Sequence, residues 1–242
     1  MTIITALFLI IIWELTVLLK ICLYRKSGYY KLTKNSYFSV YYDRGKFGEY
    51  AISKRLKNLK GTKRFLFNIY IPKEDNKEET TEIDVILLHN SGIYVMESKN
   101  YSGWIFGSET KTNWTQSLAY KGRSKKNKFL NPIIQNKVHL KHLAHFLKSH
   151  DINNALYSYI VFSERCTLKK IKLTTKDHIV INRYNILKAV NNQIKVSKEN
   201  LSEEEITNIY NILYPCTQVS KELKLTHIEN INKKKKTITT FV

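Results

Sequence analysis

The stretch TEIDVILLHNSGIYVMESK, residues 81–99, constrains the fold more than any other part of the chain. Ile83, Val85 and Leu87 form one alternating apolar run, and Ile93 and Val95 another. Asn90-Ser91-Gly92 between them is a turn composition. Two adjacent strands in a tight hairpin follow from this local pattern. Asp84 falls in the first strand. Glu97 and Lys99 end the second, and their spacing of two sends both side chains from one face. The hairpin brings Asp84 near Glu97. Two carboxylates and an ammonium then share one sheet surface, which a purely structural pair of strands rarely spends on charge.

That set suits metal-assisted phosphodiester hydrolysis. Asp84 and Glu97 offer hard oxygen ligands to Mg²⁺, with Mn²⁺ as a second ion of the same kind; such ions keep several waters. The backbone carbonyl of Ser98 is a further candidate ligand. A metal here lowers the pKa of its water and stabilises charge on phosphoryl oxygens. Lys99 is placed to orient or deprotonate the attacking water, or to offset negative charge. Glu49 lies near the start of a helix expected over about residues 46–59. It either favours the helix dipole or reaches the metal through water. Gln135, near the start of a later helix, is a candidate for positioning water or phosphate. An isolated Glu-x-Lys is common by chance; the ordered set of acidic helix, strand, Asp strand, turn and Glu-x-Lys strand carries the signal.

The formal net charge is +20, from 40 Lys and Arg against 20 Asp and Glu. Such an excess suits an anionic partner, nucleic acid or an anionic membrane surface. A general bias towards Lys and Asn raises the charge in the same way without a ligand. Lys121, Arg123, Lys125, Lys126 and Lys128 crowd into KGRSKKNK. This reads as a flexible positive loop, either solvated or in contact with backbone phosphates. The three cysteines, Cys22, Cys166 and Cys216, are scattered, which argues against a disulfide framework or a zinc ribbon. His139 and His142 share a helix face with Gln135, and His145 is near, but no HExxH pattern supports zinc ligation. Phosphate-binding loops, nucleophile elbows and dinucleotide fingerprints are missing from the sequence.

Residues 3–23 are mostly Ile, Leu, Val and Phe, long enough to cross a bilayer as a helix, which takes about 20 residues. Glu14 interrupts the run at mid-span, where it must be protonated, paired within a homo-oligomer, or kept shallow. Lys20 can snorkel. The run lacks the basic start and the small-residue cleavage site of a secretory signal. Lys20, Arg25, Lys26, Lys31 and Lys34 place the following domain on the cytoplasmic side of a cell membrane. The alternative is an amphipathic or buried first helix.

The rest of the chain alternates between strand and helix patterns. Residues 65–71 read as a strand stopped by Pro72, and residues 104–106 as a short third strand. Trp114 stands in a polar stretch as a candidate lid. Asn131-Pro132 opens a helix through about residue 148, with an apolar stripe of Ile134, Val138, Leu143 and Leu147. Strands are expected at residues 156–162, 168–173 and 178–181, and helices at 182–191 and 199–213, where Ser202 and Glu205 match a capping box.

Several of these pieces together resemble the nuclease-related domain family, a branch of the restriction-endonuclease-like nucleases of PD-(D/E)xK type. They are Gly48-Glu49, Thr81-Glu82-Ile83-Asp84, Gly92-Ile93-Tyr94-Val95-Met96-Glu97-Ser98-Lys99-Asn100-Tyr101, Gly103, Trp114 and Asn131-Pro132-Ile133-Ile134-Gln135-Asn136. The resemblance covers residues 44–162. It implies an α/β fold with a central mixed sheet flanked by helices, and a metal-dependent role in DNA processing. It also implies Glu49, Asp84, Glu97, Lys99 and Gln135 as the site, and members often carry an N-terminal membrane helix. The expected organisation is an anchor at residues 3–23, a linker at 24–42, the nuclease-related domain at 43–215 and a basic polar tail at 216–242. The expected function is a membrane-anchored nuclease acting on DNA. The alternatives are a non-catalytic nucleic-acid-binding or scaffold protein at the membrane, and a peripheral protein whose basic patches meet anionic lipid.

Overall fold

A computed structural model describes residues 3–240, apart from the side chains of residue 120 and residues 234–240. An apolar helix α1 (Ile3–Arg25) leads into two short helices, α2 (Gly28–Thr33) and α3 (Tyr37–Tyr42), and then α4 (Arg44–Arg55). Strands β1 (Lys63–Pro72), β2 (Thr80–His89) and β3 (Gly92–Lys99) form an antiparallel meander. Strands β4 (Gly103–Ser108), β5 (Asn113–Tyr120) and β6 (Arg123–Leu130) follow, then helix α5 (Pro132–Lys148). The chain continues through β7 (Leu156–Phe162), β8 (Cys166–Lys172) and β9 (His178–Asn182) to α6 (Ile186–Val196), α7 (Glu203–Leu213) and α8 (Lys221–Thr240).

The strands make two sheets. A mixed five-stranded sheet runs β1-β2-β3-β7-β9, with β3, β7 and β9 parallel. A four-stranded sheet runs β6-β5-β4-β8. Val85, Leu87, Tyr94 and Met96 bury one face of the large sheet with residues from α2, α3, α4 and α6. Ile83, Ile86, Leu88, Ile93 and Val95 bury the other with α5 and α7. Near-complete burial of β3 on both faces explains its continuous apolar run. A third core joins the sheets through Ile105, Trp114, Ile133, Ile160 and Phe162.

The 81–99 hairpin forms as expected, and Gly92 takes the turn's left-handed φ of 122°. Other expectations change. Residues 24–42 are not a free linker: Tyr24, Tyr29 and Val40 are core residues, and the tyrosines of the stretch supply its apolar surface. Trp114 is not a lid. It lies flat on Phe162, with centroids 6.0 Å apart, over a position where only Gly107 leaves room. The basic segment 121–128 is a turn and the edge strand β6, bonded to β5 from Asn113↔Leu130 to Tyr120↔Arg123. Exposed cations on an edge strand also discourage pairing with another chain. The buried face of α5 includes Ile133, Asn136, His139, His142, Leu143 and Leu147, while Val138 is exposed; Asn131 caps the helix by accepting from the Ile133 N–H. The tail contains helix α8; its lysine run beyond Lys233 lies outside the described side chains.

Candidate active site

The candidate site forms where the strand alternation slips. Phe67 and Val85 pack on one face of the large sheet, yet Ile69 and Ile83, two residues away, pack on the other. Asn68 and Asp84 lie between these paired residues. Asn68 has a φ of 52°, in the left-handed region that Asn tolerates better than most residues. The slip lets an aspartate sit in the middle of an apolar strand with its carboxylate off the core. The β2–β3 ladder ends at Val85↔Met96, and just beyond it the Ser98 N–H donates to Asp84 Oδ2 at 2.7 Å.

Glu97 and Lys99 do leave one face of β3. Lys99 Nζ lies 2.6 Å from Glu97 Oε1 and donates to Gln135 Oε1 at 3.0 Å. The other oxygen of Glu97 is 3.2 Å from Nε2 of His139. Nδ1 of the same ring is 2.6 Å from the Thr81 hydroxyl. An ionised Glu97 only accepts, so His139 Nε2 carries a proton toward it, while Nδ1 shares its hydrogen bond with the Thr81 hydroxyl. Gln135 and His139 are one helical turn apart on α5, so one helix face contacts both Lys99 and Glu97 of β3.

Charge is unevenly shared here. Burial pushes the Asp84 carboxyl well above its usual range, and the neighbouring Glu97 pushes it further. Burial acts on Glu97 too, but Lys99 and His139 outweigh it and bring Glu97 down to about 2. Burial favours a neutral Lys99, yet Glu97 and Asp84 prevail and raise its pKa. The cluster therefore holds a firm Glu97–Lys99 ion pair and a second carboxyl, Asp84, short of positive charge.

Glu49 is 4 % exposed on α4 and accepts from Tyr29 Oη at 2.9 Å and Asn68 Nδ2 at 2.8 Å. Burial raises its pKa to about 7 against those two hydrogen bonds. Gly48 is needed beside it because a Cβ there would strike the Ser98 hydroxyl. Glu49, Glu82 and Asp84 line a cleft of about 810 Å³, walled also by Asn68, Tyr70 and residues of α2, α4 and α8. Asp84 is thus where the open cleft meets the buried cluster.

Asp84 and Glu97 are hard oxygen donors of the kind a divalent cation takes; Glu97 already contacts Lys99 and His139, whereas among the described residues Asp84 makes no direct ion pair. Among the described residues no three His, Cys, Asp or Glu side chains converge to hold a metal alone. That donor set suits Mg²⁺, which retains waters, better than a closed protein cage. Of the residues expected from sequence, the structure brings Asp84, Glu97, Lys99 and Gln135 together, with Glu49 across the cleft wall. Lys121, Arg123, Lys125, Lys126 and Lys128 belong to the small sheet's hairpin and do not line the cleft. Sequence reasoning missed the roles of His139, Thr81, Asn68 and Tyr29. The one polar residue in FLFNIYI pointed to Asn68, and the four-residue step from Gln135 pointed to His139.

Residues 44–163 match the family model described as nuclease-related domain. The chain is also 28 % identical over 192 residues to an uncharacterized protein of Bacillus anthracis, an alignment covering 79 % of this chain and 85 % of that protein. No solved structure matches it significantly.

Proposed function

We propose, from the premise that residues 44–163 are a nuclease-related domain, that this chain is a metal-dependent nuclease hydrolysing phosphodiester bonds of DNA. The observation that carries the reading is the Glu97–Lys99–Gln135 chain of contacts, 2.6 Å and 3.0 Å, set behind Asp84 at the cleft. Asp84 and Glu97 would hold Mg²⁺ or Mn²⁺, which would supply water activation and Lewis-acid stabilisation of phosphoryl oxygens. Lys99, kept cationic by its neighbours, offsets charge on the reacting phosphate. Gln135 fixes the Lys99 ammonium on one side while Glu97 fixes it on the other. His139 orients Glu97 and acts as a positioning residue. Glu49, whose pKa lies near 7, accepts a proton from water in the cleft at neutral pH. The β5–β6 hairpin supplies Lys121, Arg123, Lys125, Lys126 and Lys128 to backbone phosphates outside the cleft.

α1 is the one described helix long and apolar enough to cross a membrane, and all of its side chains before Tyr24 are at least partly exposed. In this reading it anchors the domain on the cytoplasmic face, and Glu14 offers a contact for a homo-oligomer. The test is cleavage of single-stranded, duplex and branched DNA by the full chain, with Mg²⁺ or Mn²⁺, against Asp84→Asn and Lys99→Ala. Wild-type protein that is inert on all three substrates with both ions removes the nuclease reading. The exposed basic hairpin favours a second reading, a nucleic-acid-binding scaffold. That reading expects salt-sensitive DNA binding unchanged by chelator or by Asp84→Asn.

A further inference from the structure

We infer that α3 and the basic turns before it form a membrane-interface surface that seats the domain directly on the bilayer entered by α1. The inference rests on the membrane reading of α1 proposed above. α1 does not hand over to a flexible tether. Tyr24, in its last turn, is 2 % exposed and packs edge-on against Tyr30, Tyr37 and Tyr50. Its hydroxyl donates to Asn35 O at 2.7 Å. Ser27 then caps α2 two residues after α1 ends. The apolar helix is bolted to the domain, so the surface around its exit lies against the headgroups.

That surface has the matching chemistry. α3 is only six residues long, yet Phe38, Tyr41 and Tyr42 are 51 %, 59 % and 78 % exposed. Their rings lie together: Phe38 stacks on Tyr42 at 6.5 Å, and Tyr41 meets Tyr42 edge-on at 5.6 Å. Large aromatics grouped this way in water mark an interaction surface, and tyrosine suits the boundary between acyl chains and headgroups. Arg25, Lys26, Lys31 and Lys34 are exposed on the adjoining turns, so an anionic lipid surface is the complementary partner. Lys34, Asn35, Asp43 and Gly45, which flank α3, also line the cleft that holds Asp84. Seating α3 on the membrane therefore sets the mouth of the cleft beside the headgroup layer.

The chain's own tryptophans make the test. Trp13 lies in α1, Trp104 is exposed in the small sheet, and Trp114 is a buried constant background. Three full-length variants are reconstituted in phosphatidylcholine–phosphatidylglycerol vesicles: Trp104→Phe, Trp13→Phe, and Trp13→Phe/Trp104→Phe/Tyr42→Trp. Quenching is read with lipids brominated near the headgroup or near the bilayer centre. Tyr42→Trp is expected to be quenched several-fold more than Trp104, and more by the shallow bromines; Trp13 is expected to be quenched by the deep ones. Quenching of Trp13 with none at Tyr42→Trp overturns the seated surface and leaves the anchor standing. No quenching at Trp13 removes the anchor reading and the seating with it.

Discussion

Glu97 and Glu109 are both sunk in the protein, at 1 % and 5 % exposure, and both are held below the usual carboxylate range. Their partners differ. Glu109, just after β4, accepts from the backbone N–H groups of Thr174 and Thr175 at 2.8 Å and 3.0 Å and from both threonine hydroxyls. Lys137 adds a contact at 3.3 Å. Those donors tie the β4–β5 turn to the β8–β9 loop. Among the described residues Glu97 has no such backbone donors; Lys99 and His139 hold it, and its charge in turn pushes the neighbouring Asp84 carboxyl up. A buried charge therefore does not itself identify a site. What sets Glu97 apart is a second carboxyl beside it, Asp84, that opens on a cleft.

The comparison breaks most visibly at Asp84. Asp84→Asn is expected to lower metal-dependent cleavage by about 10³-fold, the scale of losing a transition-state charge partner. It should also raise the melting temperature in chelator, because it removes the carboxylate that burial and Glu97 disfavour. Lys99→Ala is expected to lose as much activity but to melt lower, since it leaves Glu97 buried without its cation. Paired melting and cleavage assays read this. Asp84→Asn that is active, or that melts well below wild type, would place Asp84 with Glu109 as a structural carboxylate.

His139 gives a smaller effect. His139→Ala is expected to weaken Mn²⁺ binding about 10- to 100-fold, the usual range for losing an outer partner of a metal ligand. Thr81→Val, nearly the same shape, frees the ring tautomer and should shift the imidazole nitrogen resonances even without metal. Unchanged Mn²⁺ affinity in a folded His139→Ala protein would sink its positioning role. Glu109→Gln belongs on the other side of the comparison. It should melt lower than wild type, most clearly above the ordinary carboxyl value of 4.5, and leave Mn²⁺ affinity alone. The sign follows from a depressed folded pKa: its stabilisation is present above the unfolded value and is lost as pH falls through the folded one.

How far the site was legible before the structure follows from the same contrast. The hairpin, the Glu-x-Lys face and the Asn131-Pro132 helix start are local patterns, so their residues could be named from spacing. Gln135 was legible because a helix start fixes where it points. The small sheet was not, since β4 pairs with β8, more than 60 residues away, and nothing local announces that partner. Residues 24–42 read as a linker because a tyrosine is amphipathic, and only the neighbours of Tyr24 and Tyr29 decide whether its ring or its hydroxyl prevails. The slip at Asn68 and Asp84 was hidden by an alternation that continues in letters while the backbone changes faces.

Glu49 supplies the finest division between the two kinds of carboxylate. It is as buried as Glu109, and its two neutral donors, Tyr29 and Asn68, do not offset that burial, so its pKa rises to about 7. A raised folded pKa means the native state binds more protons than the unfolded chain between 4.5 and about 7. Stability contributed by this group is then full below the ordinary value and falls as pH rises through the window. Glu109 acts in the opposite sense at lower pH. Glu49→Gln should flatten stability between those limits by a slope no steeper than about 1.4 kcal/mol per pH unit, one proton's worth. Urea melts at several pH values, in chelator, measure it. A slope that survives Glu49→Gln would assign the titration to Asp84, whose pKa moves the same way, and Asp84→Asn in the same series separates the two.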